Sequence, residues 1–467
     1  MLDPEQVTLG TFSDGYPAVL THDDRRRHLY LIGKTGSGKS NLLFNLMQAD
    51  LQRGAGFALL DPHADLAERV ADSIPPELTN RVIYVDPADI DHPIGLNLLN
   101  NVPPDQRPLV AAHVTEAFQH IWGMTTEAAP RATYILTHAL RLLLDAPGST
   151  LLGLPRLLTN DEYRHRLLAH TRDPIVRGFW TEEFPSWPAH ERQTALMPVQ
   201  NKVGALLQPY AIRYALGQTK STINIREVMD RGQILLVNLS KRRLGLGPAH
   251  LIGALLTTAF AQAAEARADV PEDERRDFTL YADEFQHFAT DSFATILSEA
   301  RKWHLSLVLS HQFLGQLPDL LRQAVVGNTG SIVVFRVGAE DAQLLADELG
   351  IPNKATLGET ANFSAWVKLM RNGIPTDPRP ITTEKQYPLC AGRFEAVLRH
   401  SQARYARPRK VVEEKLRRFL ENKPRTAAAH FTPKKPHYLE DIRNTLTALN
   451  DKINAQQAAQ QARSLFP

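Results

Sequence analysis

The sequence predicts an α/β fold built on a doubly wound, mainly parallel sheet. Two observations predict it. Several short runs are continuously apolar rather than alternating, as strands buried on both faces of a parallel sheet must be. Helical stretches separate several of these runs, which is the rhythm of crossover connections. A third observation places a site on the sheet: the run at residues 28–32 leads straight into a glycine turn and then a helix.

Residues 1–27 contain two β-like pieces, 7–12 and 16–21, which read as a small β-rich N-terminal cap. Core strands are expected at 28–32, 56–62, 81–86, 233–239, 278–283, 305–310 and 331–336, so the core occupies 28–100 and 223–390. Residues 101–222 break the rhythm. Segments 108–122 and 132–144 carry apolar residues at helical spacing and no strand pattern stands out, so an all-α insertion domain is expected. The Trp and Phe residues of 179–187 read as its core rather than as a base-stacking surface. From 391 to 467 the chain reads as a basic, helical C-terminal extension. Its basic stretches are 393–410 and 415–419, followed by a Pro- and Lys-containing linker at 430–437 and a last helix at 438–463. No repeat of solenoid spacing is present.

The chain has 467 residues, enough for two or three domains. Hydrophobic residues make up 43% and charged residues 22%, a globular profile. No apolar run approaches the roughly 18 residues of a membrane span, and no basic-then-apolar signal peptide opens the chain. Cys390 is the only cysteine, which excludes an internal disulfide and a cysteine zinc cage. The expected location is therefore the cytoplasm, with peripheral attachment at the inner face of the membrane left open. A net charge of +2 neither demands nor excludes nucleic acid.

Residues 33–40 fit the phosphate-loop pattern at Gly33, Gly38, Lys39 and Ser40. Backbone N–H groups of such a turn converge on phosphate oxygens, and the helix N-terminus adds partial positive charge. The nucleotide-binding residues are expected to be Gly33, Lys34, Thr35, Gly36, Ser37, Gly38, Lys39, Ser40 and Asn41. Lys39 would reach the β- and γ-phosphates of ATP, and Ser40 would bind Mg2+. The run 278–282 ends in two adjacent carboxylates. Asp283 at the strand end can join the Mg2+ shell, and Glu284 can take a proton from the attacking water. Gln312, after the run 305–310, sits at the carboxyl edge where parallel sheets bind ligands, and could sense the γ-phosphate or orient water.

Together these pieces resemble the HerA–FtsK superfamily of hexameric DNA-translocating ATPases. They look most like the soluble motor part of conjugative type IV secretion coupling proteins, the TraD/TraG/TrwB-like group. The resemblance rests on the segments 33–40, 283–285, 300–302 and 310–312, with 238–241 and 327–342 also similar, and spans roughly residues 20–375. It implies a RecA-like core, ATP hydrolysis with Mg2+, a homo-oligomeric ring of six subunits, DNA as partner, and an appended all-α domain. It also implies an arginine finger acting across the subunit boundary. Arg301, eleven residues before Gln312, holds the matching position, with Arg336 as runner-up. Physically, a guanidinium there neutralises charge on the transferring phosphoryl group. One departure is the lack of the N-terminal transmembrane helices of membrane-bound coupling proteins. It leaves open a variant that docks on secretion-channel or relaxosome-like proteins, a HerA-like or secretion-pump branch, or a mobile-element or defence system.

The segment 241–247, with Lys241, Arg242 and Arg243, suits contact with DNA phosphates without base reading. The basic C-terminal stretch suits DNA, an acidic partner or an anionic membrane surface, and also a plain solvated helix, the commonest fate of such runs. Two other functions stay open: an ATPase that moves protein, and a nucleotide-dependent scaffold that hydrolyses poorly. Asp283, Glu284 and Gln312 argue against the scaffold.

Overall fold

Seven strands pack side by side in parallel because their residues are apolar on both faces. They are β3 (Leu29–Ile32), β4 (Gly56–Asp61), β5 (Val82–Val85), β6 (Ile234–Asn238), β7 (Phe278–Ala282), β8 (Leu305–His311) and β9 (Ser331–Val334), and every residue in them is buried. The computed structural model describes residues 6–123, 128–290, 292–384 and 388–421. Four more strands extend the sheet in antiparallel fashion: β1 (Gln6–Phe12), β2 (Pro17–Thr21), β10 (Ser364–Lys368) and β13 (Arg379–Thr382). The order across the sheet is β2-β1-β13-β10-β9-β3-β8-β7-β4-β6-β5. A small hairpin, β11 (Met370–Arg371) and β12 (Ile374–Pro375), stands beside it.

The seven expected core strands all form, each within a residue or two of its expected limits. The N-terminal pieces differ from expectation. They do not stand apart as a cap, because β1 pairs with β13 and so joins the main sheet. Such non-local pairing leaves no mark on the local sequence.

The helices that bear on the site are α1 (Lys39–Gln52), α2 (Asp65–Asp72), α3 (Arg107–Trp122), α4 (Pro130–Asp145), α5 (Ala189–Leu207), α6 (Leu246–Glu265), α7 (Ser292–Glu299) and α8 (Phe394–Tyr405). Between β5 and β6 the described residues form helices and no strand of either sheet. There Phe179, Trp180 and Phe184 are buried, and the His138 ring stacks on Phe179 at 4.1 Å. These aromatic side chains fill a core. Among the described residues, no helix is long and apolar enough to cross a membrane.

The basic stretch after 391 also differs from expectation. Helix α8 lies against β5: Ser401 Oγ accepts from Tyr84 N at 2.8 Å, and the Tyr84 and Phe394 rings meet edge to face at 5.5 Å. Asp72 at the end of α2 accepts from the N–H groups of Gly392 and Phe394. The compact unit runs to Leu416, so the start of the expected extension belongs to the core. Its basic side chains line the outer face, while Val397 and Ser401 are buried. A second unit starts at Arg417, and its described part contains the Arg417–Glu421 ion pair at 3.2 Å. The linker at 430–437 and the helix at 438–463 lie outside the described residues.

Beneath the carboxyl edge a buried cluster joins three elements. Arg25, just before β3, donates to both Asp50 oxygens at 2.7 and 3.0 Å and to Tyr281 Oη at 2.8 Å. Tyr281 Oη also donates to Asp50. Burial pushes the Asp50 carboxyl up, but the Arg25 charge and these bonds outweigh it and hold the group below its ordinary range. Removing one partner of such a pair strands a buried charge, so Asp50→Ala should cost about 3–5 kcal/mol, read by denaturant unfolding. Because the folded-state pKa is depressed, the stability from Asp50 is present above about pH 4 and is lost as the pH falls through the folded-state value. The gap between wild type and Asp50→Ala should therefore shrink on acidification.

Candidate active site

The carboxyl ends of β3, β7 and β8 meet because of register. Ile32 pairs with His311, and Ala282 pairs with Leu309. Gly33 is thereby level with Gln312, and Asp283 is level with Ser310. The loop 33–40 is fixed from outside by three backbone hydrogen bonds. Gly33 N donates to His311 O (3.3 Å), Lys34 N to Arg336 O (2.8 Å), and Phe363 N to Ser37 O (2.8 Å). Glycine is needed at 33 because a Cβ there would lie 2.5 Å from Phe335 Cβ. It is needed at 38 because φ is +123°, with the Phe363 backbone 3.2 Å from where a Cβ would sit. Helix α1 opens at Lys39, and the first N–H groups of a helix have no intrahelical acceptor. Lys34, Thr35, Gly36 and Ser40 are exposed, so the loop's outer surface is open to a ligand. The Asn41 amide is used differently: with Asn45 it donates to Glu384 O, at 3.0 and 2.7 Å.

Four of the expected side chains come together here. Lys39 is buried, and its Nζ donates to Gly33 O at 2.5 Å. Burial lowers its pKa, against the pull of the Glu284 and Asp283 carboxylates. Asp283 accepts from Ser310 Oγ and from Glu284 N. Burial raises Asp283 to about 6; the Asp61 and Glu284 charges add to this, while Ser310 and Lys39 oppose it. Glu284 has a left-handed backbone, φ +48°. Its carboxylate accepts from Gln312 Nε2 at 3.1 Å and Gln286 Nε2 at 2.7 Å. An excess of buried carboxylates over cations beside a glycine cradle fits a polyphosphate carried with a divalent metal.

Two residues here escaped the sequence reading. Ser310 holds Asp283; it lies in the segment 310–312 that carries the family resemblance, but the sequence reading gave it no role. Asp61, at the end of β4, accepts from the N–H groups of His63, Leu66 and Ala67 at 2.8–2.9 Å, so it caps α2 while its charge acts on Asp283. An aspartate ending an apolar run was its signal.

The remaining expected residues are not in this cluster. Arg301 precedes β8, whereas Gln312 follows it, so the two are roughly 20 Å apart along the strand. Arg301 is exposed, makes no salt bridge to a described residue, and lines a cavity of about 410 Å³ with Arg27, His28 and Lys368. Arg336 follows β9, beside the loop, and its carbonyl braces Lys34. The segment with Lys241, Arg242 and Arg243 is a short helix, Lys241–Leu244, rather than an open loop. Lys241 Nζ lies 2.8 Å from His287 Nε2, within the field of Glu284, Asp283 and Asp61. Arg243 pairs with Asp86, and only Arg242 is left exposed without an ion pair among the described residues.

Fold and site together define a P-loop ATPase. The family model of the helicase HerA central domain matches residues 7–243, and the chain belongs to that family, within the HerA–FtsK superfamily. A search of curated proteins finds no match. Among solved structures, the unbound bacterial conjugative coupling protein TrwBΔN70 is similar at 19% identity and a TM-score of 0.61, over 83% of this chain and 90% of that one. TrwB in complex with ADP and Mg2+ gives the same identity and TM-score, over 83% and 91%. VirB4 of Thermoanaerobacter pseudethanolicus is similar at 14% identity and 0.56, over 83% and 98%. The shared feature is the RecA-like fold.

The tight fit around Gly38 can be tested directly. Gly38→Ala places a non-glycine residue at φ +123° against Phe363, which should cost about 1–3 kcal/mol in unfolding free energy. Nucleotide affinity should fall with it, since the loop's N–H groups would lose their convergence. Unchanged stability in the variant would contradict the close packing.

Proposed function

We propose that this chain is an ATP-driven, ring-forming motor that moves DNA in conjugation, type IV secretion or a related mobile-element system. The observation that carries the reading is the gathering of Lys39, Asp283, Glu284 and Gln312 at one sheet edge, with Arg301 exposed at the other. Similarity to TrwB and VirB4 supports a motor of that kind. On this reading, Gly33 to Asn41 hold the nucleotide. Ser40 and Asp283 would hold Mg2+, whose charge offsets that of the phosphates. Glu284 takes the proton of the attacking water, and Gln312 holds Glu284 in place and senses the terminal phosphate. Arg301 has no role at its own site, so it serves the neighbouring subunit, and Arg27 in the same cavity accompanies it. Residues 101–222, helical where described, form an inserted domain, and attachment at the membrane runs through secretion-channel proteins.

Protein cargo is the second reading, favoured by one observation. Of the three basic residues offered for DNA, Lys241 and Arg243 have partners within the chain. ATP turnover with and without single- and double-stranded DNA separates the two. A DNA motor should be stimulated, with little sequence preference and a steep loss at higher salt.

Lys39→Ala should abolish turnover. Glu284→Gln should keep ATP binding while the rate falls by about 10²–10⁴-fold. Wild-type hydrolysis by Glu284→Gln would remove Glu284 from the role of base.

Arg301→Ala should lose turnover by about 10³–10⁵-fold at unchanged nucleotide affinity. Mixing it with Lys39→Ala subunits should restore part of the activity, because some interfaces then pair an intact loop with an intact finger. Mass measurement with ATP or DNA should show a ring, most simply a hexamer. A monomer with full activity would overturn both the ring and the finger.

A further inference from the structure

We infer that Phe363 is the stacking platform for the nucleobase of the nucleotide held by loop 33–40. This rests on the nucleotide-binding reading above and adds to it the residue that carries the base.

Phe363 combines exposure with constraint. Its relative exposure is 49%, high for a large apolar side chain. Yet its backbone is fixed at φ +62°, a conformation unfavourable for a bulky residue. Three hydrogen bonds impose it. Phe363 N donates to Ser37 O at 2.8 Å, and Phe363 O accepts from Thr383 N at 2.7 Å and Thr383 Oγ1 at 2.8 Å. The ring lies against the phosphate loop, with Cδ1 3.3 Å from the place where a Cβ on Gly38 would be. An exposed aromatic ring held by strain against a ligand loop points to a contact with the ligand.

Direction along the loop decides which part of the ligand it meets. Lys39, Glu284 and Gln312 gather on the β8 and β7 side of β3, which marks the terminal-phosphate end. Phe363 lies on the other side, just before β10, two strands from β3. A triphosphate with its terminal end at Gln312 therefore carries its nucleoside toward Phe363. The other exposed phenylalanine by the loop, Phe313, follows Gln312 and so lies at the wrong end. A phenyl ring offers a base its face and no hydrogen-bond donors. Stacking of this kind accepts adenine and guanine alike.

The test compares binding of ATP, GTP and inorganic tripolyphosphate to the full chain by calorimetry, for wild type, Phe363→Ala and Phe363→Tyr. Phe363→Ala should weaken ATP and GTP by roughly ten- to a hundredfold, while tripolyphosphate affinity stays within about twofold. Phe363→Tyr, which keeps the ring, should bind all three ligands like wild type. Equal weakening of tripolyphosphate and ATP in Phe363→Ala would mean that the residue only props Gly38, and would overturn the inference. So would unchanged ATP affinity in Phe363→Ala. If wild-type protein binds neither ATP nor tripolyphosphate, the nucleotide reading itself fails and this inference falls with it.

Discussion

The phosphate loop is held in shape by chain segments that are distant in sequence. Its N–H groups can converge on an anion only if the turn is fixed, and within the turn only the Lys39 side chain helps, through its bond to Gly33 O. His311 O, Arg336 O and Phe363 N fix it, from the ends of β8 and β9 and the approach to β10. The register of the parallel sheet is therefore part of the site. A slip of β8 by one residue would move both the brace on Gly33 and the position of Gln312. The Arg25–Asp50–Tyr281 cluster works in the same direction from below, since it ties α1 to the strand that ends in Asp283 and Glu284. A buried ion pair is weak evidence for net stability; here its consequence is the relative placement of two elements that share the chemistry.

Charge balance is the second constraint. Asp61, Asp283 and Glu284 are buried within reach of one another's fields, with Lys39 and the half-buried Lys241 as the cations near them. Asp61 accepts from three backbone N–H groups, two of them in α2, yet burial still raises its pKa against those bonds. Asp283 has Ser310 and the Glu284 N–H as donors, and burial, with the Asp61 and Glu284 charges added, raises its pKa to about 6 against them. A group in that state is the natural ligand for a divalent cation, whose charge would reverse the shift. Glu284, by contrast, receives two amide donors that orient it without neutralising it.

What the sequence disclosed follows from the length scale of each signal. Continuous apolar runs and the glycine turn are local, so all seven parallel strands and the loop were legible, and Asp283, Glu284 and Gln312 followed from their places at strand ends. Of the antiparallel strands, β1 and β2 were legible as the pieces 7–12 and 16–21, but β10, β13 and the pairing of β1 with β13 were not. β10 alternates buried and half-buried residues over only five positions, and β13 contains Pro380. Both patterns are too short or too broken to stand out from loops. Lys241, Arg242 and Arg243 looked like a free basic loop because their partners are far away in the chain: Asp86 lies 157 residues from Arg243 and His287 lies 46 from Lys241. Phe363 carried no signal at all, since an aromatic residue after Asn362 is unremarkable until its backbone meets Ser37.

Strand β8 joins these observations to the motor action proposed above. One end carries Gln312, hydrogen-bonded to Glu284; the other follows Arg301, exposed beside Arg27. A buried strand in the centre of a sheet is stiff, because it has neighbours hydrogen-bonded on both sides. In the proposed ring, such a strand would link the nucleotide site of its own subunit to that of the next. A change sensed by Gln312 need not pass through flexible loops to alter the placement of Arg301; it need only shift β8 relative to its neighbours β3 and β7. The coupling free energy required is modest, about 1–3 kcal/mol in typical allosteric pairs. A displacement of one strand between two packed arrangements suffices for that. Subunit-to-subunit order in hydrolysis would then come from the sheet that forms the site.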